Sequence, residues 1–539
     1  IAAYFDDSVV AAFPLRKKYK QPWRDALIHG VKHKGADWHS DHALIMLRDK
    51  PQKLIKVSYL FTGEQPDEVI TTDTNASPLV TAKTRTYEYF GRNLINKRIL
   101  WLEKSESLSL KVNGQDLPIK SRSPRVANRP KWFEANRARP AAARPPIENE
   151  SKNKLRARIG STRFFDKRFA NAWLLSDRLH DSTDSGEVTF RYLRKQRPEI
   201  NAYFVIEKGT PDHDRLKNLG YGDRLLDPGS IHWHAAMKRA KFFISSHIHN
   251  DHPLVDGHYT PNFRNIFLQH GVIKDDISRY LNSKPINLMV SSTPGEYASI
   301  VDDGTQYDYT DKDVALSGLP RFDELLAARS RVPEDQRDLV LLAPTWRKWL
   351  NKPITPGSHR REVVDDFTAT DFAKSWQEIL ASTEIAQAAN HQGYKVGFLP
   401  HPNLAEALDQ FDVPEHIEVL SFTEGNVQEI FARSRVLVTD YSSMAFNAAY
   451  LDTPVVYYQF DAERMDAGGH TSRPGYFSYE ADGFGPVTNH ADDTVTAICK
   501  IIANQGKADQ EYQDRIDMTF PSRDGKCTER VVRGIEALG

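Results

Sequence analysis

Two cysteines in 539 residues, Cys499 and Cys527, are too few for a disulfide framework, and free thiols are expected. No run of eighteen apolar residues occurs, so no membrane-spanning helix is expected. The opening IAAYFDDSVV has neither a basic start nor a long apolar stretch and is not expected to be a signal peptide. It does not begin with methionine either, and a longer protein is expected around it. An excess of one charge is also missing: Lys plus Arg and Asp plus Glu are 72 each, so net charge points to no partner. Neither GxxxxGK[ST] nor GxGxxG is present, which removes support for P-loop and dinucleotide chemistry.

What is present is an ordinary globular composition, 40% hydrophobic and 27% charged, in a chain too long for one core. From Lys53 to Leu117 the segments KLIKVSYLFTG, EVITTDT, RTYEYFGR and SLSLKVNGQDLPI are β-branched, aromatic or alternating, with Asn113-Gly114 as a turn. They predict a small β-rich accessory module over residues 1–125, with binding or packing as its default role. Residues 126–160 are rich in Pro, Arg and Ala around Trp132 and Phe133. They read as a basic linker, either solvated or resting on anionic lipid or polymer.

Beyond the linker the rhythm becomes strand, helix, strand. AWLLSD, NAYFVIEK, KFFISS, NIFLQHG and NLMVSS form one series, and DLVLLAPT, YKVGFLPHP, IEVLSF, RVLVTDYSS and TPVVYYQFD another. Such alternation predicts α/β halves with parallel sheets, here 161–330 and 331–539, facing across a cleft. Ligands of open parallel sheets sit at the carboxyl ends of the strands, so the polar residues closing each run are the candidate site. Those are His270 and Gly271, then Arg321, then Pro344, Thr345 and Arg347, then His401, then Ser442 and Ser443. The serines precede a helical stretch, where N–H groups suit a phosphate; ordinary N-capping is the alternative. A histidine such as His270 or His401 can exchange a proton near neutral pH, or simply satisfy a turn. Arg321 and Arg347 can clamp phosphate oxygens or form salt bridges. His247, His249 and His252 in SSHIHNDHP have the look of metal ligands, but the cysteines are remote and Asp251 stands alone; no metal is expected.

Taken in order, NIFLQHG, SGLPRFD, LLAPTWR, LPHPN, VLVTDYSSMAFNAAYLDTPVVYYQFD and RPGYFSYEADGFGPV resemble the CDP-glycerol glycerophosphotransferase family of teichoic acid primases and polymerases. The likeness runs from Trp173 to Val487. It implies a GT-B-like fold of two Rossmann-like domains, the C-terminal one binding the donor. It further implies transfer of polyol phosphate from CDP-glycerol to the hydroxyl end of a teichoic-acid-like acceptor, with CMP released. By position it makes His270 and His401 the catalytic pair. It makes Gly271, Arg321, Pro344, Thr345, Ser442, Ser443 and Asn447 donor-binding residues. Asn447 stands where relatives carry Asp, so CDP-ribitol is an alternative donor; Gln269 stands where they carry Trp. Repeated addition, as by a polymerase, is expected, and a single-addition primase is an alternative that the motifs do not separate. No cofactor and no nucleic-acid partner are implied. The implied partners are the CDP-polyol, a lipid-linked or polymeric acceptor, and the cytoplasmic face of a membrane, held peripherally. A non-catalytic module that binds anionic polymer is the reading from another class.

Overall fold

The computed structural model describes residues 37–539 apart from 50, 74–76, 90–91, 122–149, 249–261, 285, 353–362, 423–426 and 466–472. Its first part is antiparallel apart from strand Ile119–Ser121, which runs parallel to strand Ala43–Asp49. Strands β1 (Trp38–His39), β2 (Ala43–Asp49), β3 (Leu54–Thr62), β4 (Glu68–Thr71), β5 (Leu79–Tyr89), β6 (Arg92–Glu103), β7 (Ser109–Val112), β8 (Gln115–Asp116) and β9 (Ile119–Ser121) make two sheets. One runs β5-β6-β3-β2-β9 with β1 beside β3, and the other β4-β7-β8. Asn113 and Gly114 both take positive φ, 49° and 76°, which is the twist a two-residue hairpin needs.

Alternation along these strands separates two chemistries. Val57, Tyr59 and Phe61 face a core shared with Leu100, Leu102, Leu110 and Val112. Cations on neighbouring positions dock the module onto the acidic stretch Asp303–Asp313. Lys56 Nζ donates to Asp313 Oδ2 at 2.6 Å, and Arg85 and Lys97 pair with Asp308 at 2.8 and 2.7 Å. Lys83 Nζ donates to Thr305 Oγ1 at 2.7 Å and to the Tyr309 carbonyl at 3.0 Å. The module thus packs on the first parallel half.

That half contains β10 (Trp173–Ser176), β11 (Ala202–Val205), β12 (Leu225–Leu226), β13 (Phe242–Ser245), β14 (Arg264–Phe267), β15 (Leu288–Ser291) and β16 (Val314–Leu316). The sheet order is β12-β11-β10-β13-β14-β15-β16, all parallel. The second half has β17 (Leu339–Leu342), β18 (Lys395–Phe398), β19 (Ile417–Val419), β20 (Ser434–Thr439), β21 (Val455–Tyr458) and β22 (Val487–Thr488), ordered β19-β18-β17-β20-β21-β22, again parallel. Central strands such as β10, β13 and β17 are buried along their whole length, because helices cover both faces. Several crossover helices start on Ser or Thr caps: Ser230 accepts from Trp233 N, Thr293 from Glu296 N and Thr370 from Ala373 N. This is the two-sheet α/β architecture that the alternating runs predict.

Two stretches depart from the expected boundaries. Residues 150–160, expected within the linker, form helix Glu150–Gly160 against helix Ile231–Arg239; Asn153 Oδ1 meets His234 Nε2 at 2.7 Å, and a Cβ on Gly160 would lie 2.8 Å from the Ile231 carbonyl. The rest of the linker, with Trp132 and Phe133, lies outside the described residues. Helix Cys527–Glu536, expected with the second half, returns to the first. Asp323 accepts from the Cys527 and Thr528 amides, Arg530 Nε donates to the Ser317 carbonyl, and Arg197 forks onto Glu536. Its amphipathic pattern dictates burial but not against which half. One continuous core results, running from Leu175 and Leu268 through Phe322 to Tyr450 and Val531.

Lys83 gives a test of the module's dock. Burial, reinforced by the charge of Lys56, pushes its pKa down from 10.5 to about 7. Between those values the unfolded chain holds a proton that docked Lys83 has released, so stability rises as pH rises through this window. Lys83→Met takes a donor from three acceptors, the Ile300 and Tyr309 carbonyls and Thr305 Oγ1, and is expected to cost about 1–3 kcal/mol at pH 8 and to flatten the rise of Tm between pH 7 and 9, read by calorimetry.

Candidate functional site

The carboxyl ends of the central strands bring most of the predicted residues onto one seam. After β14, Gln269 takes φ +62° and turns the chain, so that His270 leaves the sheet at the surface where the two halves meet. Gly271 lies against the second half so closely that a Cβ there would sit 2.9 Å from Ser443 Oγ. Arg321, in the first turn of helix Pro320–Arg331, spans the same seam. Its Nη1 donates to the His270 carbonyl and its Nη2 to Asn447 Oδ1, both at 2.6 Å, while Asp184 stands 3.7 Å away. His270, Gly271, Arg321, Ser443 and Asn447 therefore form one contact set.

The remaining predicted residues continue along the second sheet. Asp440, fully buried after β20, accepts from the Thr345 amide at 3.0 Å and from the Tyr441 amide at 2.7 Å. Pro344 is buried beside it, and the Thr345 hydroxyl oxygen is buried without a hydrogen-bond partner. Ser442 Oγ accepts from Met444 N, so part of the capping alternative holds; Ser443 caps helix Met444–Tyr450 by position but makes no side-chain cap bond. His401 follows β18, which pairs with β17, and its ring lies 6.2 Å from that of Trp346. Its Nδ1 accepts from Asn403 N at 3.1 Å, which puts the ring proton of neutral His401 on Nε2 and suits it to donate. A row of contacts thus leads from His401 through Trp346, Thr345 and Asp440 to Ser443 and Gly271.

Arg347 needs correcting as a phosphate clamp. It is wholly buried, pairs with Asp440 at 2.9 Å and Asp461 at 2.8 Å, and lies over the Tyr441 ring at 4.9 Å. These carboxylates raise its pKa further, and it braces the Asp440 loop instead. The metal reading of SSHIHNDHP also changes. His249 and His252 lie outside the described residues, and the ring of His247 stacks on that of His270, with centroids 4.4 Å apart and planes 14° apart.

Three buried residues behind His270 escaped the sequence reading. Asp177, closing β10, accepts from the amides of Asp184, Gly186 and Glu187 and from Ser246 Oγ. Ser246, closing β13, also meets His247 Nδ1 at 2.9 Å. Glu296 accepts from the Ile273 amide at 2.7 Å and the Ser292 amide at 2.6 Å, fixing the loop beyond His270. The segment Arg473–Phe477 closes the other side: Asp276 bridges Arg473, and a Cβ on Gly475 would strike the Lys274 carbonyl at 2.1 Å.

The electrostatics suit a base at His270. Burial among protein atoms lowers its pKa, the Asp184 charge opposes that, and Arg321 and Arg178 lower it further. Although its surface is open to solvent, the ring is hemmed in on its other sides, and the neutral form is favoured near neutral pH. The Ser246 backbone, like Asp184, opposes that lowering. By contrast, a 470 Å³ cavity lined by Arg329, Arg337, Arg435 and Arg523 lies at the amino edge of the second sheet, away from this seam. Its arginines largely brace structure: Arg329 bonds the Ala432 and Leu451 carbonyls, Arg435 the Glu334 carbonyl, and Arg523 the Asp517 carboxylate.

With this geometry in place, sequence comparison is decisive. The profile of the CDP-Glycerol:Poly(glycerophosphate) glycerophosphotransferase family matches residues 158–537. The chain belongs to this family. Among its relatives, the minor teichoic acid biosynthesis protein GgaB of Bacillus subtilis (strain 168) is 28% identical over 374 residues, 68% of this chain and 40% of that protein. The teichoic acid poly(glycerol phosphate) polymerase of the same organism is 23% identical over 379 residues, 64% of this chain and 46% of that one. The ribitol-phosphate polymerase TarL of Staphylococcus aureus (strain NCTC 8325 / PS 47) is 25% identical over 238 residues, 42% of this chain and 37% of the other. The chain thus spans less than half the length of these curated relatives. The solved structure of the wall teichoic acid polymerase TagF superposes with a TM-score of 0.49 at 16% identity, covering 72% of this chain and 94% of that one.

Asn447 gives a test of the seam. A carboxylate there would pair with Arg321 and quench its effect on His270. Asn447→Asp is expected to raise the pKa of His270 by about half a unit or more, read by NMR titration of labelled histidine. An unchanged titration would separate Arg321 and Asn447 from His270.

Proposed function

We propose that the chain transfers polyol phosphate from a CDP-polyol to the hydroxyl end of a polyol-phosphate acceptor, with CDP-glycerol as donor and chain extension as outcome. The observation that carries this reading is the seam itself. A neutral histidine on one half lies within a residue of Gly271, which touches Ser443 on the other half. His270 takes the proton of the acceptor hydroxyl as its oxygen attacks the β-phosphorus. The bond from that phosphorus to the bridging oxygen breaks, and CMP leaves with the electron pair. Phosphoryl transfer depends on in-line placement and charge neutralisation more than on covalent help. His401 Nε2–H, the Thr345 hydroxyl, Ser442 and Ser443 supply donors for the pyrophosphate, and Arg321 supplies positive charge across the seam. Asn447 in place of a carboxylate leaves that charge less compensated, which favours an anionic donor.

Ribitol is the second reading, because relatives of this chain include ribitol-phosphate polymerases. We place the acceptor at a membrane surface held peripherally; among the described residues no helix is long and apolar enough to cross a membrane. Salt-sensitive sedimentation with anionic vesicles supports that placement, and salt-insensitive behaviour contradicts it.

Incubation with CDP-glycerol or CDP-ribitol and a short lipid-linked acceptor, followed by CMP release and product sizing, tests the reaction. His270→Ala is expected to cut CMP release about 10²–10⁴-fold while the donor still binds. If wild type and variant are equally inert with both donors, the chain is a polymer-binding module. The proposed chemistry calls for no resident metal: EDTA is expected to leave the rate unchanged, and a loss reversed by magnesium would overturn that.

A further inference from the structure

The arrangement behind His270 is a built one. Strands β13 and β14 pair in parallel with Ser245 opposite Phe267, so the residues that follow each strand emerge side by side. Gln269 then turns the chain through its positive φ, and His270 comes to lie over His247. Ser246 is wholly buried beside the pair. Its backbone opposes the lowering of the His270 pKa. Its single hydroxyl hydrogen is given to Asp177 Oδ1 at 2.6 Å, so towards His247 Nδ1, 2.9 Å away, the same oxygen accepts. His247 therefore carries its proton on Nδ1. Asp177 is itself immobile. Three amides at the start of helix Ser185–Gln196 hold its carboxylate, and a Cβ on Gly186 would lie 2.5 Å from Oδ1.

We propose that His247 is a positioning residue for His270: anchored through Ser246 to Asp177, its ring covers one face of the base and fixes its orientation towards the seam. This rests on the reading of His270 as the base. Near-parallel rings at van der Waals separation leave His270 little freedom about its side-chain torsions and keep water from one face. A second positive charge on the neighbouring imidazole would be unfavourable, so the stack also favours the neutral state that a base requires. The other charged groups facing the pair are Asp177, with Glu187 beyond it, Asp184 at the helix start, Arg178 after β10 and Arg321 from helix Pro320–Arg331. They are of mixed sign, and burial together with the Asp184 charge pushes Asp177 itself up to about 7.

The experiment compares wild type with His247→Ala, His247→Phe and Ser246→Ala, reading the His270 titration by NMR and the pH dependence of kcat. His247→Ala admits water to the exposed face. The pKa of His270 is expected to rise by about half a unit or more, and the acid limb of the pH–rate profile to move up equally, because the neutral base is then lost at higher pH. At pH 7 kcat is expected to fall about tenfold, with KM for the donor nearly unchanged. His247→Phe restores the covering ring and most of kcat. Ser246→Ala, which keeps the carbonyl but cuts the hydroxyl link, gives a smaller shift in the same direction and serves if His247→Ala fails to fold. A titration and acid limb identical to wild type in the folded variants would overturn the proposal, since a merely structural role lowers the folded fraction without moving either. If wild type releases CMP from no CDP-polyol, the functional reading fails, while the His270 titration still decides whether the stack acts on it.

Discussion

On the seam the backbone of one half meets side chains of the other without room for a methyl group, at Gly271 against Ser443 and at Gly295 against Tyr476. Beside the first of these Arg321 crosses to hold the His270 carbonyl and the Asn447 amide oxygen. Parallel sheets alone would present two sets of loops with no fixed relation between them. The shared core through Phe322 and Tyr450, whose rings stack at 4.3 Å, and the return of helix Cys527–Glu536 to the first half limit relative motion of the halves near this contact. The precision with which a base can face a donor depends on that packing.

The seam also separates support from chemistry. Buried carboxylates lie one layer behind the surface: Asp177 and Glu296 fix the loops of the first half, and Asp440 fixes those of the second. Each is satisfied by backbone amides or by a guanidinium, as buried charge must be. In front of them stand His270, which can accept a proton, and His401, Thr345 and Ser443, which can donate a hydrogen bond. Burial pushes the carboxyls of Asp177 and Glu296 behind the seam up, Asp177 to about 7, while their amide bonds oppose that; on the seam Arg321 stands with Asp184 3.7 Å away.

Much of this was legible in the sequence, for physical reasons that also mark the limits. A parallel strand covered on both faces reads as an unbroken apolar run, so WLLS, FFIS, LVLL and VVYY announced themselves, and the residues closing such runs pointed to His270, Thr345, His401 and Ser443. Of the short edge strands, β19 showed through IEVLSF, whereas β12, β16 and β22 were not read. The same strand-end rule applied to AWLLSD and KFFISS would have named Asp177 and Ser246. His247 suggested metal because its histidine neighbours are close in sequence. Its observed partner, His270, is 23 residues away and is brought near by the pairing of β13 with β14, which no local pattern records. Arg347 looked like Arg321 in sequence, and only burial between two carboxylates distinguishes them.

The central claim is that His270 and the Thr345–Ser443 loops serve one CDP-polyol. A structure of the protein soaked with CDP-glycerol tests it most directly. The account predicts the β-phosphate on the seam, within hydrogen-bond reach of Ser443 and facing His270, with His401 on the pyrophosphate. A donor bound elsewhere with the seam empty, for instance in the arginine-lined cavity at the amino edge of the second sheet, would contradict it.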